Sequence, residues 1–272
     1  MLKYFLPGLA MLLVVTCSCN RKQHKAASGH DKEVIRVMTY NIHHANPPSR
    51  QDYIDVKAIA QVIRRQRPDL VALQEVDVHT KRSGSMLNEA EDIAAQTGMQ
   101  VYFAKAIDHD GGDYGVAILS KFPLSNSQNH KLPTAAGTKG EPRVMATAII
   151  SLRGGKKIVF ACTHLDAQKA DTNRVLQINA IAEILSREQL PVIIGGDFNA
   201  TSDSRVITVL DKFMTRTCVN DCAFTIPVLH PDKTIDFIAS TSSAKLTAVS
   251  HRVIPETYAS DHLPVIAEIH MP

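Results

Sequence analysis

The sequence has no tryptophan, few other aromatic residues, and no excess of basic charge over most of its length. Aromatic residues make up 5% of the 272 residues. Residues 1–31 hold four of the 30 basic residues and one of the 27 acidic residues, so residues 32–272 carry 26 of each. Strong non-specific binding of nucleic acid depends on clustered Lys and Arg side chains. The charge balance therefore argues mildly against a nuclease, and no aromatic hairpin for membrane docking is visible.

The sequence also lacks internal repeats, interdomain linkers and any Cys/His spacing typical of a zinc site. Its length suits a single domain with a sizeable core. A hydrophobic fraction of 44% is ordinary for a folded protein and argues against disorder beyond the N-terminus. No feature of the sequence indicates an oligomeric state.

The N-terminus resembles an export signal. Lys3 supplies positive charge, and the apolar run 9–15 is too short to span a bilayer permanently. A small residue followed by cysteine is typical of bacterial lipoprotein signals, in which that cysteine is lipidated after cleavage. Ser18 makes Cys19 the favoured lipidation site, with Cys17 as the alternative. A plain secretory signal with two incidental cysteines is the competing interpretation.

We therefore predict three segments. Residues 1–19 form the signal peptide with its lipoprotein-type cysteine, residues 20–31 a flexible polar tether, and residues 32–272 the main domain. The protein is expected outside the cytoplasm, either secreted or held at a membrane surface only through a lipid anchor.

Three further cysteines lie in the main domain. Cys162 sits in an apolar run and is expected to be a small core residue. Cys218 and Cys222 flank a short polar stretch and can close a small disulfide if the protein is exported.

Strand-like and helix-like segments alternate along the main domain. Apolar residues at helical spacing predict helices, and runs of alternating or continuous apolar residues predict strands. The predicted helices are 52–67, 87–97, 171–186 and 204–210. The predicted strands are 34–42, 70–73, 101–104, 115–120, 144–152, 156–163, 191–194, 234–239 and 263–270, with a hairpin at Gly154-Gly155. The mixture indicates an α+β fold with helices covering a sheet system.

Polar motifs cluster where the apolar strands begin or end. A single polar residue at a strand end is usually a turn former. Six such motifs in one chain are hard to assign to turns alone. They are TYN (Thr39–Asn41), LQE (Leu73–Glu75), THLD (Thr163–Asp166), GGDFNA (Gly195–Ala200), TIDF (Thr234–Phe237) and SDHLP (Ser260–Pro264).

In this order the motifs resemble the endonuclease/exonuclease/phosphatase superfamily, which includes deoxyribonucleases, sphingomyelinases and inositol-phosphate phosphatases. The resemblance spans about residues 34–269, and GGDFNA and SDH are its most specific parts. It implies a four-layer α/β sandwich of two packed, mainly antiparallel sheets with helices outside. The active site would lie at one rim of the sheets. The expected activity is metal-dependent hydrolysis of a phosphomonoester or phosphodiester by activated water.

The candidate metal ligands are Glu75, Asn41 and Asp261. Carboxylate and amide oxygens suit Mg²⁺, which takes few protein ligands and keeps several waters. Glu75 would be the main ligand, Asn41 would ligate or would position Glu75, and Asp261 is a further possible ligand. Mg²⁺ is expected, with Mn²⁺ as the alternative.

By resemblance, the candidate catalytic residues are Asp197, Asn199, His262, Asp236 and His164. Asp197 would orient or deprotonate the attacking water, and Asn199 would hydrogen-bond the phosphoryl oxygens. His262 would contact the phosphate or transfer a proton while Asp236 holds its ring. His164 would donate a hydrogen bond to the phosphoryl group in the transition state.

Substrate contacts are predicted more loosely. Arg82 can clamp a second phosphate or an acidic headgroup, or it can be an ordinary solvated charge. Arg143 is a candidate anion contact, His43 lies on the loop that follows Asn41, and Tyr114 lies at the start of the strand predicted at 115–120. Val116 stands where many relatives carry Asn, so their substrate contacts do not transfer directly to this edge.

Among possible substrates, a small soluble or headgroup phosphate is favoured because it requires neither a basic groove nor a docking hairpin. The alternatives are a secreted nuclease acting on DNA or RNA, a phospholipase C or sphingomyelinase-like enzyme, and a nucleotide-directed phosphodiesterase. A non-catalytic binding protein would be expected to have lost catalytic residues, and all of the residues named above are present.

Overall fold

The computed structural model describes residues 1–4 and 33–271. The chain divides into two units, Met1–Asp31 and Lys32–Pro272, and every helix and strand given below belongs to the second. Apart from residues 1–4, the predicted signal peptide and tether lie outside the described residues. In the described part of the chain, no helix is long and apolar enough to cross a membrane.

Strands predominate in the second unit. The strands of the described residues are β1 (Val34–Asn41), β2 (Leu70–Val78), β3 (Gln100–His109), β4 (Gly112–Ser120), β5 (Leu124–Lys131), β6 (Val144–Ser151), β7 (Lys157–His164), β8 (Val192–Asp197), β9 (Met214–Arg216), β10 (Asp236–Thr241), β11 (Thr247–Val253) and β12 (Val265–His270). The α-helices are α1 (Val56–Gln66), α2 (Glu89–Thr97), α3 (Thr172–Leu185) and α4 (Arg205–Leu210).

The strands form two six-stranded sheets with the same topology. One sheet has the order β11-β12-β1-β2-β4-β3 and the other the order β5-β6-β7-β8-β10-β9. In each, the central pair is parallel, β1 with β2 and β7 with β8, and is connected through a helix. The other neighbours are antiparallel. The structure therefore contains a repetition that the sequence does not show.

Three apolar clusters arrange these elements in four layers. The first lies between the sheets, where Val37 and Leu70 share a cluster with Phe160 and Ile193. The second packs α1 and α2 on the outer face of the first sheet, and the third packs α3 and α4 on the second sheet. Burial of these apolar faces is the main driving force for the fold. The predicted α/β-β/α sandwich is confirmed.

The sheets approach each other closely at Gly195 in β8. A Cβ atom at this position would lie 3.0 Å from the Cβ of Ala72 and 3.2 Å from that of Thr39, both in the facing sheet. Such contacts are tighter than ordinary packing distances. The glycine therefore lets the ends of β1 and β8 lie close together.

The predicted helices are all present, with ends fixed by local capping. The Asp55 side chain accepts from the Ala58 N–H at 3.0 Å and caps α1. Asn88 caps α2 in the same way, and Gly98 ends it in the left-handed conformation. Polar caps of this kind satisfy backbone groups that have no partner inside the helix.

The strand predictions were less complete. The strand predicted at 70–73 continues to Val78, so the LQE motif lies inside β2 and not after it. The strands β5, β9 and β11 were missed. β5 and β11 are largely exposed edge strands and β9 has three residues, so none shows the apolar pattern on which strand prediction depends.

Both predictions for the cysteines of the main domain agree with the structure. Cys218 and Cys222 form a disulfide. Cys162 is fully buried in the cluster between the sheets, and burial raises the pKa of its thiol to about 12. A thiol with so high a pKa is a packing residue and not a nucleophile.

Glu89, the first residue of α2, is a buried acid. Its Oε2 accepts a hydrogen bond from the Asp77 backbone N–H at 2.8 Å, which attaches α2 to β2. Burial raises the pKa of Glu89 to about 8. The hydrogen bond from the Asp77 N–H lowers this pKa, and the negative charge of the Asp77 side chain raises it further. The folded protein therefore holds a proton at Glu89 near neutral pH.

We expect Glu89→Gln to stabilise the protein relative to wild type at pH 8 and to have little effect at pH 5. Because the folded pKa lies above the unfolded value of 4.5, the favourable contribution of the protonated group is lost as pH rises towards 8. Each unit of pKa difference corresponds to about 1.4 kcal/mol. Urea unfolding at the two pH values measures the change, with Glu91→Gln, an exposed acid on the same helix, as the control. An equal effect of Glu89→Gln at both pH values would contradict the assignment.

Candidate active site

Strand register brings three of the predicted catalytic residues side by side. In the parallel pair β7–β8, His164 lies opposite Asp197. In the antiparallel pair β8–β10, Asp236 also lies opposite Asp197. Neighbouring residues in register have side chains on the same face of a sheet. The second sheet thus presents His164, Asp197 and Asp236 as one row.

Asn41 connects this row to the first sheet. Its Nδ2 donates to Asp197 Oδ2 at 3.1 Å and to Glu75 Oε1 at 3.0 Å. Asn41 and Asp197 are both almost completely buried. One amide group therefore holds a carboxylate from each sheet.

Glu75 points into the site because β2 is irregular there. The pairing of β2 with β4 shifts register between Leu73 and Val76, and Glu75 has a φ of 57°. A bulge of this kind redirects a side chain that a regular strand would leave on another face. Asn199, which follows β8, also has a positive φ, at 47°. Strained backbone at non-glycine residues is typical of functional sites.

His262 is held on two sides. Its Nδ1 lies 3.0 Å from Asp236 Oδ2, and its Nε2 lies 3.7 Å from Asp197 Oδ2. The His262 backbone N–H donates to Ser260 Oγ at 3.2 Å, and the Ser260 hydroxyl donates to the backbone carbonyl of Asn41 at 2.7 Å. Ser260 therefore fixes the SDH segment against the end of β1.

Charges within this group shift two pKa values. Burial opposes protonation of His262, but the attraction and hydrogen bond of Asp236 outweigh it and raise the pKa of His262 to about 10. Burial and the charge of Asp236 raise the pKa of Asp197 to about 7, against the opposing effect of His262. His262 is therefore an imidazolium at neutral pH, next to a carboxylate more basic than usual.

His164 is neutral and lies on the other side of Asp197. Burial and the positive charges of Arg143 and His262 lower its pKa well below the usual value. Arg143 Nη1 lies 3.2 Å from Nδ1, and Asn199 Nδ2 lies 3.0 Å from Nε2. Arginine can only donate, so Nδ1 is the acceptor in this contact. We therefore assign the ring proton to Nε2, which lies 3.5 Å from Asp197 Oδ2.

The donor set fits a divalent cation. Hard oxygen ligands are supplied by Glu75 and Asp197 on either side of Asn41, and the carboxylates of Asp197 and Asp236 lie close together beside His262. Asp236 Oδ1 is buried and has no hydrogen-bond partner among the described residues. An unpartnered carboxylate oxygen in such a group is well suited to a cation or to water bound to one.

Asn41 and Asp261, two of the predicted metal ligands, have different neighbours in the structure. The side-chain carbonyl of Asn41 accepts from the His43 N–H at 3.1 Å, so its amide nitrogen faces the carboxylates. This arrangement makes Asn41 a residue that positions Glu75. Asp261 lies between Ser260 and His262, and its charge contributes to raising the pKa of His262.

Three of the loosely predicted substrate contacts, Arg143, Tyr114 and His43, lie near the core residues. Arg143 is 7% exposed and forms an ion pair with Glu141 at 3.0 Å. Burial raises the pKa of Tyr114, and the positive charge of the nearby Arg143 opposes this rise. His43 is fixed through its backbone to Asn41 and through Nδ1 to the Asn46 carbonyl at 3.0 Å.

Arg82 is not a freely solvated charge. It forms an ion pair with Asp77, whose side chain is completely buried. Val116, the position that departs from many relatives, lies in the core between the sheets and makes no part of the site surface. The contacts of Ser260 and Glu141 were not predicted from sequence, although Ser260 is the first residue of the SDHLP motif.

The family model of the endonuclease/exonuclease/phosphatase family matches residues 38–262, which include all the residues of this site. The chain belongs to this family. Its members are hydrolases that act on phosphoesters.

Proteins that are similar in sequence or in structure match nearly the whole chain. The YbhP protein of Escherichia coli K12 is 27% identical over 252 residues, covering 87% of this chain and 96% of YbhP. A mannosyl-6-phosphatase of Bacteroides thetaiotaomicron superposes with a TM-score of 0.71 at 18% identity, over 86% of this chain and 99% of the other. The human Nocturnin catalytic domain, solved with bound sulfate, gives a TM-score of 0.67 at 22% identity over 89% and 98%. These two structures show the shared fold.

We expect the imidazole of His262 to titrate well above the ordinary value in the wild-type protein and to fall by more than one pKa unit in Asp236→Asn. The variant keeps the shape of the side chain and removes the charge that favours the imidazolium. NMR titration of the histidine rings measures this, with the exposed Asp203→Asn as the control. An unchanged His262 titration in Asp236→Asn would show that Asp236 does not set its charge.

Proposed function

We propose that this protein is an exported, metal-dependent phosphoesterase that hydrolyses a phosphomonoester or phosphodiester by activated water. The observation that carries the proposal is the convergence of Asp197, His262, Asp236 and His164 with Asn41 and Glu75 at one rim of the two sheets. These groups supply an acceptor for a water proton and donors for phosphoryl oxygens. Phosphoryl transfer requires both.

Asp197 is the residue that activates water. Its Oδ1 accepts from the Asn199 N–H at 2.8 Å, and its Oδ2 accepts from Asn41. These contacts fix the carboxylate in one orientation. Its raised pKa makes it a better proton acceptor near neutral pH than an ordinary carboxylate.

The surrounding groups stabilise the phosphoryl oxygens. His262 contributes a positive charge, with Asp236 fixing its ring so that Nε2 faces the centre of the site. His164 contributes its Nε2–H and is oriented by Arg143. The Asn199 amide lies next to His164 and adds a further polar contact. Donors that are fixed in place before reaction lose little energy to reorganisation as charge develops.

Glu75 and Asp261 would hold Mg²⁺ or Mn²⁺, with Asn41 positioning Glu75. When bound, such an ion neutralises phosphate charge and favours departure of the leaving group. Mg²⁺ is the better candidate because the ligand set is rich in oxygen and poor in nitrogen and sulfur.

A small soluble phosphate or a phosphorylated headgroup is the favoured substrate. Residues 32–272 have no net basic excess and the chain has no tryptophan, which disfavours long nucleic acids and docking on a bilayer through aromatic residues. The structural similarity to a mannosyl-6-phosphatase supports a sugar phosphate as one possibility. Nuclease and phospholipase C activities are tested as alternatives.

The proposed export rests on the N-terminal sequence and is supported by the disulfide between Cys218 and Cys222. Structural disulfides persist in oxidising compartments and are rare in the cytosol. Either Cys19 or, as the alternative, Cys17 would carry a lipid and hold the protein at a membrane surface.

We expect the purified protein with Mg²⁺ to hydrolyse bis-p-nitrophenyl phosphate or a member of a panel of sugar and inositol phosphates, and to be inactive in excess EDTA. Restoring Mg²⁺ should restore activity, because the protein residues remain in place. Plasmid DNA and sphingomyelin vesicles test the alternatives. Preference for either would reassign the substrate, and full activity in EDTA would refute the metal requirement.

Asp197→Ala and His262→Ala are each expected to lower kcat by about 100-fold or more, because each removes a group that acts on the reacting phosphate or water. The exposed Asp203→Ala should retain activity and serves as the control. Circular dichroism and thermal unfolding check that the variants fold. A folded variant with near wild-type turnover would remove that residue from the mechanism.

A further inference from the structure

The loop between β2 and α2 carries a guanidinium group that the mechanism above does not use. Arg82 donates from Nε to Asp77 Oδ2 at 2.7 Å and from Nη2 to Asp77 Oδ1 at 2.9 Å. The side chain of Arg82 is 33% exposed and that of Asp77 is 0% exposed. A two-point contact of this kind fixes both the position and the plane of the guanidinium.

Asp77 is itself held by neighbouring hydroxyls. Thr80 Oγ1 and Ser83 Oγ each donate to Asp77 Oδ2 at 2.7 Å. The Arg82 backbone N–H also donates to Asp110 Oδ2 at 2.8 Å. Both ends of Arg82 are therefore fixed.

These contacts use one edge of the guanidinium and leave the other available. Nη1 has no hydrogen-bond partner among the described residues, and the second hydrogen of Nη2 is also unused. A guanidinium presents its five N–H groups as a planar fork that fits the oxygens of a phosphate or carboxylate. The free edge is thus a preformed site for an anionic group.

Arg82 lies close to Tyr114 and to the part of β2 that carries Glu75. The Arg82 Cζ is 5.5 Å from the centre of the Tyr114 ring, and Asp77, which Arg82 contacts, lies opposite Tyr114 in the β2–β4 pair and two residues after Glu75. The negative charge of Glu75 acts on both Arg82 and Tyr114. Arg143, inside the site, is 7% exposed, whereas Arg82 is more open to solvent. Arg82 is therefore a partly exposed guanidinium beside Tyr114, next to the strand pair that carries Glu75.

We propose that Arg82 binds a second negatively charged group of the substrate, separate from the phosphate that is cleaved, and that Asp77 is the positioning residue for this contact. The inference rests on the proposed function and narrows its substrate class to molecules with two anionic groups. A second phosphate is the better match to the free edge, and a carboxylate is the other form of the same chemistry. No bond is made or broken at Arg82.

The test compares three ligands that share one phosphorylated sugar frame: glucose 6-phosphate, glucose 1,6-bisphosphate and 6-phosphogluconate. Binding is measured by calorimetry with Mg²⁺ in the Asp197→Ala variant, which prevents turnover during the titration. We expect glucose 1,6-bisphosphate to bind about tenfold or more tightly than glucose 6-phosphate, as for a hydrogen bond to a charged group. The affinity of 6-phosphogluconate shows whether a carboxylate can replace the second phosphate.

Adding Arg82→Ala to this variant should remove most of the difference between the bisphosphate and the monophosphate. Lys81→Ala, which removes the neighbouring exposed charge, should keep it and is the matched control. Asp77→Asn should reduce the ratio of the two affinities at a temperature where the variant is folded. A loss of stability alone would not change that ratio.

Equal affinity for the three ligands, including no measurable binding of any, would overturn the proposal. A preference for the bisphosphate that is unchanged in the Arg82→Ala variant would also overturn the proposal. Failure of the proposed function is distinguishable, because it would appear as absence of turnover by the wild-type protein on every phosphoester. An active enzyme without selectivity would overturn only the role of Arg82.

Discussion

The hydrogen bonds of the Asn41 amide join the two sheets of this molecule at the candidate active site. Asn41 ends the central strand of one sheet, and its amide nitrogen donates to Asp197 of the other sheet and to Glu75 of its own. The close approach at Gly195 makes this contact possible. Because buried carboxylates are costly without partners, the site forms only if both sheets pack in register. Packing of the two sheets in register is therefore required for the geometry of the site.

The electrostatics of the site follow from that closeness. Buried carboxylates next to one another raise the pKa of Asp197, and the same carboxylates keep His262 protonated. His164, only 3.5 Å from Asp197, is nevertheless neutral because burial and Arg143 oppose its charge. Two histidines on either side of one carboxylate thus have opposite protonation states. The difference is set by their other neighbours, a carboxylate for His262 and a guanidinium for His164.

Much of this arrangement could be predicted from the sequence, because each core residue lies in a short motif at the edge of an apolar strand. The helices followed from apolar patterns within single segments, whereas the four-layer fold was implied by the resemblance of the motifs to a known family. The bulge at Glu75 and the contact of Arg143 with His164 could not be predicted, since they depend on an irregular register and on a partner distant in sequence. The ion pair of Arg82 with Asp77 depends on the conformation of the loop after β2, which no pattern of the sequence indicated. The strands β5 and β11 were missed because edge strands with exposed faces carry no apolar signal.

The matching topology of the two sheets has a consequence for how the site is built along the chain. In the second sheet all six strands are consecutive, from β5 to β10, whereas the first sheet takes β1 to β4 from the start of the domain and β11 and β12 from its end. The segment that brings β12 to its place beside β1 also carries Ser260 and His262. The segment that completes the first sheet therefore also carries His262 to Asp236 and Asp197 of the second. One connection between β11 and β12 thus serves both the closure of a sheet and the assembly of the candidate site.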